Sequence, residues 1–138
     1  MKVLNRKGFT LVELIATIVL LSLIMGLGSY AITNLIKSAK DKNYTLLIKE
    51  IKSAVEEYHI ECKYVNNNCV TQMTLGDLVK NGYLKANDPE NDLGLINPKD
   101  NKNISTCNIK YEYNNSKISV SAVTTTGSCP STADYQNN

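Results

Sequence analysis

The chain has 138 residues, a length that the usual prior assigns to one domain. Its 15 Lys and Arg against 13 Asp and Glu leave a formal charge of +2, a balance that gives no support to nucleic-acid binding. There is a single histidine, His59, so no nucleophile–base–acid set can be built around an imidazole, and no catalytic residue is expected.

The amino-terminal end carries the strongest signal. Residues 1–8 are short and basic, with Lys2, Arg6 and Lys7, and the next 28 residues, 9–36, hold one ionisable group, Glu13. That run exceeds the roughly 20 residues a helix needs to cross a bilayer. A secretory signal has an apolar stretch of only about 7–15 residues, uniformly apolar. An acid in lipid costs about 2.5–3.5 kcal/mol at the centre of a helix and less near its edge, so Glu13 is a functional candidate that calls for a cationic partner. Cutting the chain between Gly8 and Phe9 would create that partner, the α-amino group of Phe9. The basic end places the amino terminus in the cytoplasm and the carboxyl-terminal domain outside.

The basic leader, the Gly8-Phe9 pair and the run Phe9-Thr10-Leu11-Val12-Glu13-Leu14 resemble the type IV pilin family, which includes the pseudopilins of type II secretion and competence systems. The resemblance is specific over residues 7–27. It implies cleavage after Gly8 by a prepilin peptidase, N-methylation of Phe9, and a role for Glu13 in assembly by neutralising the Phe9 amine of a neighbour. Loss of the leader would take the formal side-chain charge from +2 to −1, so the basic balance is largely a leader effect.

After residue 36 the apolar run becomes a stripe. Tyr44, Leu47, Ile48, Ile51, Val55, Tyr58 and Cys62 recur at three- and four-residue steps, with Lys49, Glu50, Lys52, Glu56 and Glu57 between them. No proline interrupts residues 9–61, so one helix of about 53 residues is expected, near 80 Å long. Gly26 and Gly28 lie in its apolar half and are candidate points of local melting, where many pilins have a proline slightly further on.

Cys62, Cys69, Cys107 and Cys129 all fall in the part expected outside the cytoplasm, and an even count there reads as two disulfides with three possible connectivities. Sequence order and strand geometry favour Cys62–Cys69 and Cys107–Cys129, worth about 2.5 and 3.5 kcal/mol in the chain-entropy picture. No Cys-x-x-Cys spacing supports a metal site, and His59 is expected to face solvent between Tyr58 and Ile60.

Residues 66–68 read as a turn-rich stretch. Residues 74–84 read as a short helix with Thr74 as N-cap, Asp77 three residues later and Gly82 past the end. This block also resembles the short helix of many pilins from Gram-positive bacteria. Residues 88–103 are loop by composition. Residues 107–113 and 117–123 alternate around Asn114-Asn115-Ser116, which predicts a β-hairpin with a three-residue turn, and a weak third strand is placed near 93–96. The tail from residue 124 reads as polar and frayed after Cys129. Two strands alone are marginal in water. The hairpin must therefore lay Ile109, Tyr111, Tyr113, Ile118, Val120 and Ala122 over Ile51, Val55 and Tyr58. The fold class expected is α+β and pilin-like, one long amino-terminal helix packed against a small antiparallel sheet.

The organisation expected is a leader at 1–8, a transmembrane and assembly half-helix at 9–36, and an extracytoplasmic domain at 37–138. Asp88, Glu90, Asp92 and Asp100 share an oxygen-rich loop, but without EF-hand spacing it reads as solvated rather than as a calcium site. Lys99, Lys102, Lys110 and Lys117 have acids among them and no aromatic platform, so no nucleic-acid partner is expected. No cofactor is expected. The function implied by the resemblance is a structural subunit, a major or minor pilin. Its partners would be identical or related pilins in a helical filament, the prepilin peptidase, the cytoplasmic membrane and a pilus assembly platform. The alternatives are a pseudopilin of type II secretion or DNA uptake, and a monomeric membrane-anchored adhesin or binding module.

Overall fold

Why the chain forms a helix first and a sheet second follows from its two patterns, and the computed structural model describes both across residues 9–66, 69–124 and 127–137. The leader, Gly8 included, lies outside the described residues, as do 67 and 68 of the expected turn; the side chains of 27–31, with Gly28, and of residue 66 are also outside them. Helix α1 spans Leu11–Glu61 and is followed by a single π-helical stretch, Cys62–Asn66. The chain divides into two units, residues 1–38 and 39–138, and α1 contributes to each.

In the second unit the α1 stripe is the floor of the core. Tyr44, Leu47, Ile48, Ile51, Ala54, Val55 and Cys62 are buried, and Tyr58 is packed against them. The remaining elements are β1 (Gln72–Thr74), α2 (Leu75–Lys80), β2 (Asn108–Asn114), β3 (Lys117–Ala122) and α3 (Thr132–Gln136). The strands form an antiparallel sheet in the order β1-β2-β3. A long helix beside this small sheet makes the fold α+β, as the sequence predicts.

Helix α2 starts where the capping pattern places it. The Thr74 hydroxyl accepts from the Asp77 backbone N–H at 3.0 Å, and the Asp77 carboxylate accepts from the Thr74 N–H at 2.9 Å. This reciprocal box satisfies two otherwise orphaned donors. Gly82, at φ +83°, closes the carboxyl end, with its N–H on Val79 and the Tyr83 N–H on Leu78.

Several expectations need correction. The third strand is β1, paired Met73↔Ile109, not residues 93–96, which supply one isolated bridge, Ile96↔Asn103. The hairpin turn has two residues, since Asn114 pairs with Lys117. Asn115 and Ser116 sit at φ 51° and 61°, the doubly left-handed turn whose twist matches that of the strands. Ile109, Tyr111 and Val120 are buried over α1 as expected, but Tyr113, one pair from the turn, is 43% exposed. The tail is not frayed after Cys129: Ser131 caps α3, and Tyr135 is 2% exposed in the core.

The loop at 88–103 is ordered by side chains acting as backbone. Asn87 brackets Ile96, accepting from its N–H at 2.6 Å and donating to its carbonyl at 3.0 Å. Buried Asn97 donates to the Ser128 carbonyl at 2.8 Å and accepts from the Lys99 N–H at 2.9 Å. A side chain on Gly94 would overlap the Asp88 carboxylate, so glycine is required there.

Candidate functional site

Among the described residues of the first unit, the helix is apolar and no side chain from Phe9 to Gly26 is buried. From Phe9 to Gly26 every residue is exposed, Phe9 at 82% and Leu11 and Val12 at 74%. The two hydroxyl groups in the middle are turned back onto the helix, Thr17 donating to the Leu14 carbonyl and Ser22 to that of Ile18, each at 2.8 Å. They present apolar surface instead of free donors. A helix apolar all round is a buried helix wherever it is stable.

Glu13 is the one ionisable group among residues 9–26. It stands at the third position of a capping box. The Thr10 hydroxyl accepts from the Glu13 N–H at 3.3 Å, while a Glu13 carboxylate oxygen accepts from the Thr10 N–H at 3.4 Å and from its hydroxyl at 3.3 Å. The Thr10 carbonyl then accepts the first helical bond, from Leu14, at 3.1 Å. The sequence carries a signal for this box, Thr-x-x-Glu ahead of an apolar run, which the assignment of Glu13 to a cationic partner leaves out. The carboxylate is thereby held at the start of the helix, where the helix field also favours negative charge.

Residues 4–29 match the prokaryotic N-terminal methylation motif. The chain carries the type IV prepilin-like signature. No curated protein and no solved structure matches the chain. The signature covers Gly8, Phe9, Thr10 and Glu13, and proteins with this motif are structural. Among the described residues no helix is long and apolar enough to cross a membrane. The span expected at 9–36 takes in 27–31, whose side chains lie outside the described residues.

The other candidate groups of the sequence are in the second unit. Cys62 is bonded to Cys69 and Cys107 to Cys129, with Cα separations of 5.3 and 5.7 Å. The first clips the π-helical end of α1 to the approach of β1; the second ties the start of β2 to the segment before α3. His59 does not face solvent as expected. It is half-buried, stacked on Tyr113 at 4.5 Å and 26°, with Nδ1 at 3.4 Å from the Tyr111 hydroxyl. Its Nε2 is buried, with no hydrogen-bond partner among the described residues.

The acidic loop does not gather its carboxylates. Asp88 accepts from the Glu90 N–H, and Asp100 from the Lys102 N–H and the Ser128 hydroxyl, which holds the Asp100 carboxyl below the usual carboxylate range. The lysines are likewise engaged singly: Lys99 lies 3.8 Å over the Tyr44 ring and Lys110 pairs with Glu112 at 2.9 Å. Near the end of α1, Tyr83 donates to the Glu61 carboxylate at 2.8 Å, a bond that pushes its pKa up to about 12.

Proposed function

We propose that this chain is a structural subunit, a major or minor pilin, of a type IV pilus-like filament. The reading rests on one coincidence: the methylation motif falls on the start of α1, where residues 11–26 are apolar apart from the Thr17 and Ser22 hydroxyls and a single acid in the first turn, Glu13. In this reading a prepilin peptidase cuts between Gly8 and Phe9 and methylates the new amine. The subunit waits in the cytoplasmic membrane, held by the helix from Phe9 onward, with residues 37–138 outside. Assembly exchanges lipid for the helices of neighbouring subunits. Glu13 then neutralises the Phe9 ammonium of a neighbour, because an unpaired charge in that apolar bundle is strongly unfavourable.

Mass spectrometry of protein extracted from membranes tests the reading. The expected species is residues 9–138 with one methyl group on Phe9. Retention of Met1 in a host with an active prepilin peptidase would sink it.

A further inference from the structure

The described residues contain one group of histidine, cysteine and acidic side chains whose donor atoms converge: His59, Cys62 and Cys69, all within 4.8 Å of one another. We propose that in the dithiol state these three residues bind one thiophilic divalent cation of the zinc class, so that disulfide and metal are alternative states of one site. The helical chain sets two of the ligands: His59 lies in the last turn of α1, Cys62 three residues on opens the π-helical stretch, and the Cys62 sulfur already lies 3.3 Å from the His59 carbonyl. Cys69 returns to that face because its bond to Cys62 requires it.

The geometry needed is close to the one present. A tetrahedral zinc with Zn–S near 2.3 Å and Zn–N near 2.0–2.1 Å separates its ligand atoms by about 3.6–3.8 Å. Once the disulfide is reduced, the Cys62 and Cys69 sulfurs, bonded in this structure, must separate to that distance, while the His59 nitrogen, within 4.8 Å of both, has at most about 1 Å to close. Side-chain rotation of the two cysteines, once unbonded, supplies both movements. The imidazole is prepared as well. Nδ1 is engaged with the Tyr111 hydroxyl, and Nε2 is the buried nitrogen with no partner. With Nε2 on the metal, Nδ1–H donates to Tyr111, the outer-shell bond that orients ligating histidines. Stacking on Tyr113 fixes the ring plane. The fourth position would be open to water from a cleft of about 510 Å³ lined by His59, Cys69, Thr71, Lys110 and Glu112.

The chemistry balances. Two molecules of a small thiol deliver two electrons and two protons to the Cys62–Cys69 disulfide, leaving two protein thiols and one small-molecule disulfide. The cation then displaces both thiol protons to solvent, and two thiolates offset its two charges, so the half-buried site remains neutral. Reoxidation by a small-molecule disulfide reverses this: it accepts the two electrons and, with two protons from solvent, leaves as two small thiols, while the Cys62–Cys69 bond re-forms and the metal is released.

The test uses the full-length protein in detergent, reduced and then freed of reductant under anaerobic conditions, with Co²⁺ as spectroscopic probe and Zn²⁺ as competitor. The reduced wild type should take up one Co²⁺ with tetrahedral thiolate bands, displaced by Zn²⁺, and Zn²⁺ should raise its Tm. The oxidised protein should show neither effect. His59→Gln, which keeps both cysteines, should lose affinity by at least about 10–100-fold. The pair Cys62→Ser and Cys69→Ser, which leaves Cys107 and Cys129 available, should abolish the bands. Equal binding by either variant, binding by the oxidised protein, or a reduced wild type that takes up no cation or stays unfolded with it present would overturn the proposal.

Discussion

Glu13 offers the sharpest test of filament assembly, because the role the structure shows for it and the role proposed for it are separable. One is local: its carboxylate and the Thr10 hydroxyl close the capping box at the start of α1. The other is the proposed pairing with a neighbour's Phe9 ammonium. Glu13→Gln keeps the box, since glutamine serves at this position, and removes only the charge. Thr10→Ala keeps the charge and removes the cap, which is worth about 1 kcal/mol. Leaving a buried ammonium without its counter-charge costs about 3–5 kcal/mol, or about 150- to 4,500-fold in an equilibrium. A lost cap corresponds to only about fivefold. The assay is the ratio of protein in sheared filaments to protein in membranes, with Phe9 methylation scored by mass spectrometry on the same samples. Glu13→Gln should remain in the membrane fraction and fall by at least about 100-fold in filaments; Thr10→Ala should fall by about fivefold. Glu13→Val should insert at least as well as wild type, because an acid has been taken out of lipid, and should assemble no better than Glu13→Gln. If Glu13→Gln is cleaved, methylated and assembled at wild-type level while Thr10→Ala fails, Glu13 is a helix cap and the charge-pairing argument is refuted.

Three further outcomes bear on the second unit. Thr74→Ala should lower stability at neutral pH by about 1 kcal/mol in denaturant melts. It should also blunt the acid limb: the Thr74 hydrogen bonds hold the Asp77 carboxyl below its ordinary value, so their stabilisation is full above about pH 4 and is lost as pH falls through the lower folded value. Ser116→Gly should raise the melting midpoint by the equivalent of about 1 kcal/mol, because Ser116 holds a left-handed conformation at φ 61° that costs a residue with a Cβ. A fall in stability would show that the Ser116 side chain contributes more than its backbone strain. Tyr135→Phe should be neutral or stabilising, since the buried hydroxyl has no hydrogen-bond partner among the described residues, whereas Tyr135→Ala should lose about 3–5 kcal/mol and expose the carboxyl-terminal segment to limited proteolysis.

The features legible in the sequence are those written within a few consecutive turns of chain. The α1 stripe from Tyr44 to Cys62 was readable because helical spacing places those residues on one face whatever they meet. The α2 cap was readable because Thr74 and Asp77 complete it between themselves. The apolar run with its single acid needed no partner to stand out. Other features were set by residues far apart in the chain. β1 has only three residues, and it is a strand because β2 offers it an edge. Tyr135 follows a polar stretch, yet it is buried because the core has room for its ring beside β3. Asn97 is indistinguishable in sequence from its loop neighbours, but the Ser128 carbonyl gives its amide a partner and permits burial. His59 stands on the flank of the stripe, where periodicity predicts solvent. The hairpin brings Tyr111 and Tyr113 across that flank, and the Cys62–Cys69 link closes beside it. Local pattern determined α1, α2 and the β2–β3 hairpin, because backbone hydrogen bonds and side-chain period act over short sequence distance. Tertiary packing decided which polar groups went inside, because a buried donor or acceptor is tolerated only where a distant part of the chain meets it.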